Sequence, residues 1–287
     1  PCCRSCSRLD CPWVAVLKDQ ENASKPIKCK CFGCSTQYCF DCREESHLPA
    51  TCEAMHEWAL MQLNSDFWVR RNAKPCPGCR APIEKTQGCN HMTCPCSVEF
   101  CWLCLTKLRS HSENHTCNRY DPTNDAEDDS SRRALFVAER YENHLQAEKF
   151  AEKQYKAMLE RPDKLADTFW FISEEEEDVF CSALSNLIEA RKYLRHSYVA
   201  SFELRRSPDL LMILENYQGA LEMLTERLSQ LTESNIQALY REKGEHGVTQ
   251  HFCGLDFYRA SVEKYIDRFS AAVLKPRSLI EESMQDN

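Results

Sequence analysis

Apolar residues recur at helical spacing through the second half of the chain. Three series carry the pattern: Leu184, Leu187, Ile188, Leu194 and Tyr198; Leu214, Tyr217, Leu221, Leu224, Leu228 and Leu231; and Leu255, Tyr258, Val262, Tyr265, Phe269 and Val273. Such spacing gives each helix one apolar face that packs against its neighbours. Ser173 with Glu176 three residues later matches a capping box and predicts a helix start. We therefore predict that residues 130–287 form an all-α antiparallel bundle of four long helices.

The first 120 residues lack this pattern and are rich in cysteine instead. All of the 20 cysteines except Cys181 and Cys253 lie before residue 118. Many form C-x2-C pairs with histidines nearby, which is typical of zinc sites, and no apolar run resembles a signal peptide or a membrane span. We predict zinc rather than disulfides, no membrane contact, and a reducing compartment, the cytoplasm or the nucleus.

The predicted fold class is therefore two small zinc-stabilised domains followed by the helical bundle. Each zinc domain is expected to be zinc-ribbon-like, with short strands and two zinc ions. They span residues 1–55 and 75–120, with a helical linker over residues 56–74. The acidic segment 121–131 is predicted as a further linker. The first residue is Pro1 rather than Met, so we expect this chain to be a piece of a longer protein.

Ligands for two zinc ions can be counted in the first domain. One set comprises Cys6, Cys11, Cys31 and Cys34, and the other comprises Cys39, Cys42, His47 and Cys52. Four thiolates, or three thiolates and one imidazole, complete a tetrahedral structural zinc site. Cys29 remains an alternative to Cys31, and Cys3 lies one C-x2-C step from Cys6 and is a rival ligand.

The second domain repeats this order and brings the expected total to four Zn²⁺ per chain. Its sets are Cys76, Cys79, Cys94 and Cys96, and then Cys101, Cys104, His111 and Cys117, with His115 as an alternative to His111. Cys94 and Cys96 precede the next C-x2-C pair by the same interval as Cys31 and Cys34, which favours them as ligands. Only one residue separates Cys94 from Cys96, however, so recruitment of Cys89 to that site stays an alternative.

Cys89 is the cysteine left over from this count. Flanked by Gly88 and a zinc-binding pair, it is expected to be exposed on a tight loop. His91 lies two residues on, and Glu99 precedes the next cysteine pair. A thiolate nucleophile, a histidine base and a carboxylate that orients it are what nucleophilic catalysis requires. Cysteines and histidines of zinc domains are nevertheless mostly ligands.

The distribution of charge argues against nucleic acid as a partner. Residues 1–120 carry 15 Lys and Arg against 12 Asp and Glu, or +3, and residues 121–287 carry 21 against 32, or -11. Fourteen zinc-bound thiolates and four divalent ions would move the front from +3 to -3. No basic stripe then remains to neutralise phosphates.

The motifs resemble those of the Ariadne-type RING-between-RING ubiquitin ligases. The segment CPGCRAPIEKTQGCNHMTC, followed by EFCWLC, is similar to their second RING, and CSTQYCFDCREESHLPATC to their in-between-RING domain. The segments CNRY, RYENHLQAEKF, SYVASFEL and LENYQGALEMLTERLS are similar to the Ariadne domain. The resemblance covers almost the whole chain.

That resemblance implies ubiquitin transfer. Cys89 matches the family cysteine that takes ubiquitin as a thioester from a conjugating enzyme, and His91 matches the base that deprotonates the acceptor lysine. Glu99 matches the nearby acidic residue. The family's first RING, which docks the conjugating enzyme, is absent from this chain.

The resemblance also implies regulation by the bundle, which covers the catalytic cysteine until a neddylated cullin-RING ligase binds. Phe150 and Glu226 match residues of that clamp, whereas Ala151 stands where the family often has Glu. The alternative to a ligase is a catalytically inactive zinc module that binds ubiquitin or a cullin ligase. A ubiquitin probe with an electrophilic C-terminus distinguishes the two.

Overall fold

The computed structural model describes residues 2–17, 26–64, 73–85, 88–108, 117, 119–122, 126–161, 163 and 165–285. Two cysteine-rich units come first, and we call residues 2–52 the first unit and residues 73–117 the second unit. Six helices complete the architecture within these residues, one after the first unit and five after the second. The predicted fold class is confirmed.

Each unit contains two antiparallel hairpins of short strands. The first unit pairs β1 (Cys2–Ser5) with β2 (Val14–Leu17) and β3 (Lys28–Lys30) with β4 (Gln37–Cys39). The second unit pairs β5 (Ala73–Pro75) with β6 (Pro82–Glu84) and β7 (His91–Thr93) with β8 (Glu99–Cys101). Hairpins this short cannot support a core of their own, so the cysteine clusters between them must supply much of the stability.

Helix α1 (Cys52–Asn64) follows the first unit. It begins four residues before the predicted linker of residues 56–74, because the Thr51 hydroxyl accepts a hydrogen bond from the Ala54 amide at 3.0 Å and caps its first turn. Residues 65–72 of that predicted linker lie outside the described residues, and its end lies in β5.

The bundle consists of α2 (Ala126–Leu159), the short α3 (Leu165–Thr168), α4 (Glu174–Glu203), α5 (Pro208–Thr232) and α6 (Ile236–Gln285). A 3-10 turn, Leu204–Arg206, links α4 to α5. Helix α6 is interrupted at Gly244, whose φ of 65° is not helical. The predicted capping box is present, since Ser173 Oγ accepts from the Glu176 amide and Glu176 accepts from the Ser173 amide. No helix among the described residues is both long and apolar enough to cross a membrane.

The acidic segment predicted as a linker, residues 121–131, is wrong in part. Helix α2 already begins at Ala126. Residues 126–131 of the predicted linker therefore belong to this helix.

Helix α4 is the centre of the bundle and packs against α2, α5 and α6. The three predicted apolar series form its core: Leu184, Leu194, Tyr198, Leu214, Leu221, Leu228, Leu255, Val262 and Phe269 are all fully buried. Helix α1, which follows the first unit, also contacts α4. Helix α1 therefore lies between the first unit and the bundle. The central helix is therefore positioned to touch both units.

Candidate functional site

The structure assembles the predicted ligands into four groups. Three groups have four members: Cys6, Cys11, Cys31 and Cys34; Cys39, Cys42, His47 and Cys52; and Cys76, Cys79, Cys94 and Cys96. The fourth brings together Cys101, Cys104 and Cys117, and its predicted fourth member, His111, lies outside the described residues. The ligand atoms of each group all lie within 4.8 Å of one another. Cys3, Cys29 and Cys89 belong to none of these groups.

The distances between sulfur atoms fit zinc. Zinc–sulfur bonds of about 2.3 Å in a tetrahedron place neighbouring sulfurs about 3.8 Å apart. The corresponding pairs here lie 3.6 Å apart for Cys6 and Cys34, 3.7 Å for Cys76 and Cys96, and 4.0 Å for Cys101 and Cys117. The four groups can therefore hold zinc.

The histidine of the second group is oriented as a ligand. His47 Nδ1 lies 2.8 Å from the Ala50 carbonyl oxygen and donates to it in the tautomer that leaves Nε2 unprotonated. His47 Nε2 then faces Cys42 Sγ at 3.4 Å and Cys52 Sγ at 3.6 Å. A backbone acceptor on one ring nitrogen commonly fixes the other nitrogen for metal binding.

The short spacing between Cys94 and Cys96 does not prevent both from joining their group. The Ser97 amide donates to the Cys94 carbonyl at 2.8 Å, which closes the turn one residue earlier than in the first unit, where the Ser35 amide donates to the Cys31 carbonyl at 2.9 Å. Both serines have a positive φ, 65° for Ser97 and 58° for Ser35. The two turns therefore end in the same backbone conformation despite their different lengths.

Cys89 lies in the bend at residues 88–90, immediately before β7. The His91 amide donates to Cys89 Sγ at 3.3 Å. Strand pairing sets Thr93 opposite Glu99, so Glu99 is diagonal to His91 on the same face, and His91 Nε2 lies 3.7 Å from Glu99 Oε1. The three residues predicted for catalysis are thus neighbours, outside every cysteine group.

The expectation that Cys89 is exposed is wrong, because it is only 3% exposed. The reason is helix α5, which lies over the loop. Glu233 Oε1 accepts a hydrogen bond from the Cys89 amide at 3.0 Å. Burial raises the pKa of the Cys89 thiol, and the carboxylates of Glu226 and Glu233 raise it further, while the Arg191 guanidinium opposes them.

Glu226 makes the closest contacts between the bundle and the loop. One carboxylate oxygen accepts from the Asn90 amide at 2.6 Å, and the other accepts from Asn90 Nδ2 at 2.8 Å and from Arg191 Nη1 at 2.6 Å. Burial by itself would raise the pKa of this carboxyl, but the charges of Arg191 and Lys85 lower it to about 2. Glu226 is thus a buried, ionised and fully bonded group, unlike an ordinary exposed helix residue.

The backbone of Gly88 also lies against the bundle. Arg191 Nη2 donates to the Gly88 carbonyl at 3.3 Å. A Cβ atom added at Gly88 would lie 3.3 Å from Glu233 Oε1 and from Ser229 Oγ, and 3.4 Å from Phe150 Cδ1. Any side chain at this position would therefore push against three bundle residues. Ala151, next to Phe150, faces the core and is fully buried.

Sequence reasoning missed most of this interface. Helix α5 presents Glu226, Ser229 and Gln230, and its C-terminal cap Glu233 continues the spacing of one helix face. Gln230 Nε2 lies 3.4 Å from His91 Nδ1. This polar series runs beside the leucine series in the sequence, and it could have predicted a polar contact face on this helix. Arg191 had no such signal, because it is one of two buried arginines, with Arg195, that lie inside the apolar series of α4.

Comparison with known proteins was informative. The family model described as IBR domain matches residues 71–118. The E3 ubiquitin-protein ligase arih1 of Xenopus tropicalis is 34% identical over 249 residues, covering 80% of this chain and 45% of the relative. The chain is a relative of the Ariadne proteins. Human E3 ubiquitin-protein ligase ARIH1 is also 34% identical over 80% of this chain and 43% of its own length, and Drosophila melanogaster E3 ubiquitin-protein ligase ariadne-1 is 32% identical over 81% and 48%.

The resemblance to the Ariadne-type RING-between-RING proteins is thereby confirmed. The chain spans less than half of the length of these Ariadne relatives. The IBR match covers the second unit, whereas the sequence motifs suggested the in-between-RING domain for the first unit. Both units share one ligand order and one hairpin arrangement, so a description of this zinc fold suits either of them.

Proposed function

We propose that this chain carries the catalytic part of a ubiquitin-protein ligase, accepting ubiquitin on Cys89 and passing it to a lysine. The observation that carries the proposal is the neighbourhood of Cys89, His91 and Glu99, outside every cysteine group that could hold zinc. The curated Ariadne relatives named as E3 ubiquitin-protein ligases support it.

In the first step, the Cys89 thiolate attacks the thioester carbonyl of ubiquitin on a conjugating enzyme. A bond forms between Cys89 Sγ and the ubiquitin C-terminal carbon, the bond to the enzyme's sulfur breaks, and that sulfur leaves as a thiolate. The backbone amide of His91, 3.3 Å from Cys89 Sγ, favours negative charge on the sulfur.

In the second step, a lysine amine attacks the new thioester. His91 takes a proton from the attacking nitrogen, the carbon–sulfur bond to Cys89 breaks, and Cys89 leaves as a thiolate. Glu99, 3.7 Å from His91 Nε2, stabilises the imidazolium that forms. An isopeptide bond between ubiquitin and lysine results.

The closed arrangement of the bundle supports autoinhibition. Cys89 is buried, its amide is bonded to Glu233, and the adjacent Asn90 is bonded to Glu226. Ubiquitin cannot reach this thiol until α5 moves away. We propose that a neddylated cullin-RING ligase, binding elsewhere on the chain, favours the open arrangement.

The four cysteine groups would hold one zinc ion each, with His111 or His115 completing the last. Zinc would supply folding energy there and no chemistry at Cys89. Fourteen reduced cysteine ligands suit a reducing compartment, and we propose the cytoplasm or the nucleus.

A ubiquitin probe with an electrophilic C-terminus tests the proposal directly. We expect one adduct, at Cys89, and with a charged conjugating enzyme a thioester that a thiol reductant cleaves. Cys89→Ser should give a reductant-resistant oxyester or no adduct and keep its full zinc content by native mass spectrometry. The matched control, Cys253→Ser, changes an exposed cysteine of the bundle and should react normally.

His91→Ala separates the two steps. Loading of Cys89 should stay nearly intact, whereas discharge to free lysine should slow by about 100-fold, since the base acts on the amine. Loss of one zinc ion in Cys89→Ser would identify Cys89 as a ligand and reject the proposal. Full zinc content with no adduct would favour the inactive binding module.

A further inference from the structure

Lys85 is a charged side chain of the second unit to which the mechanism above gives no role. It follows β6, and its Nζ donates to Asn90 Oδ1 at 2.9 Å and to Asn143 Oδ1 at 2.7 Å. Among the described residues both acceptors are neutral amides, and no ion pair involves Lys85. Burial lowers the pKa of this ammonium to about 8, against the raising effect of Glu226. A partly buried ammonium without a bonded carboxylate is costly and is seldom retained for stability alone.

The charges around Lys85 come from two different parts of the molecule. Its ammonium lies in electrostatic range of Cys89, which belongs to the same unit. It also lies in range of Glu226 and Glu233 on α5 and of Arg191 on α4. In the closed arrangement the two carboxylates therefore compete with Cys89 for the positive charge of Lys85.

The balance changes when the bundle withdraws. Glu226, Glu233, Arg191 and the α2 residue Asn143 all belong to the bundle and would leave together. The bond from Lys85 to Asn90 lies within the second unit and stays. The Lys85 ammonium then remains as a positive charge of the second unit within electrostatic range of Cys89.

We infer that Lys85 is a positioning residue for ubiquitin transfer: it holds Asn90 beside Cys89 and places a positive charge that stabilises the Cys89 thiolate once the bundle contacts are released. The inference rests on the proposed function, in which that thiolate attacks in the first step and leaves in the second. The ammonium takes no part in bond making.

The test measures Cys89 alone and requires no ubiquitin. The full chain carrying Glu226→Ala and Glu233→Ala removes the two competing carboxylates. Iodoacetamide alkylation of Cys89 is followed from pH 6 to pH 10 by peptide mass spectrometry, with the exposed Cys253 as a reference thiol in the same molecule. Native mass spectrometry of each variant checks that the metal sites remain folded.

Two substitutions of Lys85 separate charge from hydrogen bonding. Lys85→Gln keeps a donor toward Asn90 but removes the charge, and should raise the pH midpoint of Cys89 alkylation by about one unit, slowing the reaction about 10-fold below the midpoint. Lys85→Arg keeps the charge and should keep the original midpoint. Lys264→Gln removes a positive charge from the exposed face of α6 and should change nothing.

Two results would overturn the inference. Equal midpoints in the parent, Lys85→Gln and Lys85→Arg would show that the charge does not reach Cys89. Equal upward shifts in Gln and Arg would show that only the shape of lysine matters. A ubiquitin probe that ignores Cys89 in every variant would instead reject the proposed function, whatever the alkylation profiles show.

Discussion

The hairpins β3–β4 and β7–β8 are two copies of one structure, and only the second bears the candidate chemistry. The first residue of each pairs with the first cysteine of the following group, Lys28 with Cys39 and His91 with Cys101. An isolated bridge then extends each hairpin, between Tyr38 and Glu45 in the first unit and between Phe100 and Lys107 in the second.

The backbone just before each hairpin also matches. Ile27 accepts a hydrogen bond from the Phe40 amide, and Asn90 accepts one from the Trp102 amide, both at 2.8 Å. Counting back from this shared contact, Pro26 occupies the position of Cys89.

The set of Cys89, His91 and Glu99 therefore has no counterpart in the first unit. Pro26, Ile27 and Lys28 stand where the second unit has Cys89, Asn90 and His91, and Gln37 stands where it has Glu99. The zinc fold supplies the positions of these side chains, but the residues placed there decide whether a unit can perform chemistry.

Helix α4 contacts Lys28 of the first hairpin and the loop before the second hairpin in different ways. Lys28 forms an ion pair with Glu189, and both side chains are substantially exposed, at 32% and 43%. The second unit instead meets Arg191, which is 0% exposed and bonds both Glu226 and the Gly88 carbonyl. A surface pair contributes little, whereas a broken buried pair is costly.

Removal of the metal should unfold both hairpins, which is the largest expected effect on the structure. Structural zinc supplies on the order of 10 kcal/mol per site in small domains. A strong chelator should abolish the near-ultraviolet signal of Trp13 and Trp102 and leave the helical far-ultraviolet signal largely intact.

Single substitutions calibrate that experiment by native mass spectrometry. Cys76→Ser should lose one zinc ion, whereas Cys3→Ser, outside every group, should lose none. Retention of both hairpin signals in the chelator would contradict a structural role for the metal.

The contrast between Arg191 and Lys28 predicts unequal losses of stability. Arg191→Met leaves Glu226 buried without its guanidinium and should lower the free energy of unfolding by about 3–5 kcal/mol. Lys28→Met removes the exposed pair with Glu189 and should cost at most about 1 kcal/mol. Denaturant titrations followed by circular dichroism measure both. Equal losses would mean that the two hairpins dock on α4 in the same way.

Glu226→Ala should open the loop without unfolding the bundle. It removes contacts to Asn90 and Arg191 that contribute about 1–3 kcal/mol each, so the reaction of Cys89 with a ubiquitin probe should accelerate by roughly 10-fold or more. Phe150→Ala should accelerate it less, because Phe150 is an apolar neighbour of Gly88 and supplies packing in place of a hydrogen bond. Glu242→Ala, an exposed change on α6, is the control. Unchanged kinetics in both loop-facing variants would exclude these two residues as the clamp.

The fold and the cysteine groups could be predicted from the sequence because local patterns determine them. Leu214, Leu221 and Leu228 follow helical spacing, and C-x2-C pairs bring thiols together within a few residues. The burial of Cys89 could not be predicted from residue patterns, since it arises from a contact with Glu233, 144 residues away in sequence. Nothing local in residues 88–91 encodes such a contact. The resemblance to the Ariadne family suggested that the bundle lies over Cys89, but residue patterns alone predicted an exposed loop.

The contribution of Glu226 to stability should not depend on pH near neutrality, because its pKa is depressed. The Glu226 pKa is lowered to about 2 from an ordinary value near 4.5. A carboxyl whose folded pKa is depressed contributes its full stability above the unfolded pKa and loses it only as pH falls toward the folded value. The difference in unfolding free energy between the parent chain and Glu226→Gln should therefore be constant from pH 6.5 to pH 5.5. In this range the carboxylate stays ionised whether the chain is folded or unfolded, and the Lys85 ammonium beside it, with a pKa of about 8, keeps its proton. Denaturant titrations at three pH values measure it. A difference that shrinks by half toward pH 5.5 would mean that Glu226 titrates near neutral pH, which a carboxylate bonded to Arg191 and Asn90 cannot do.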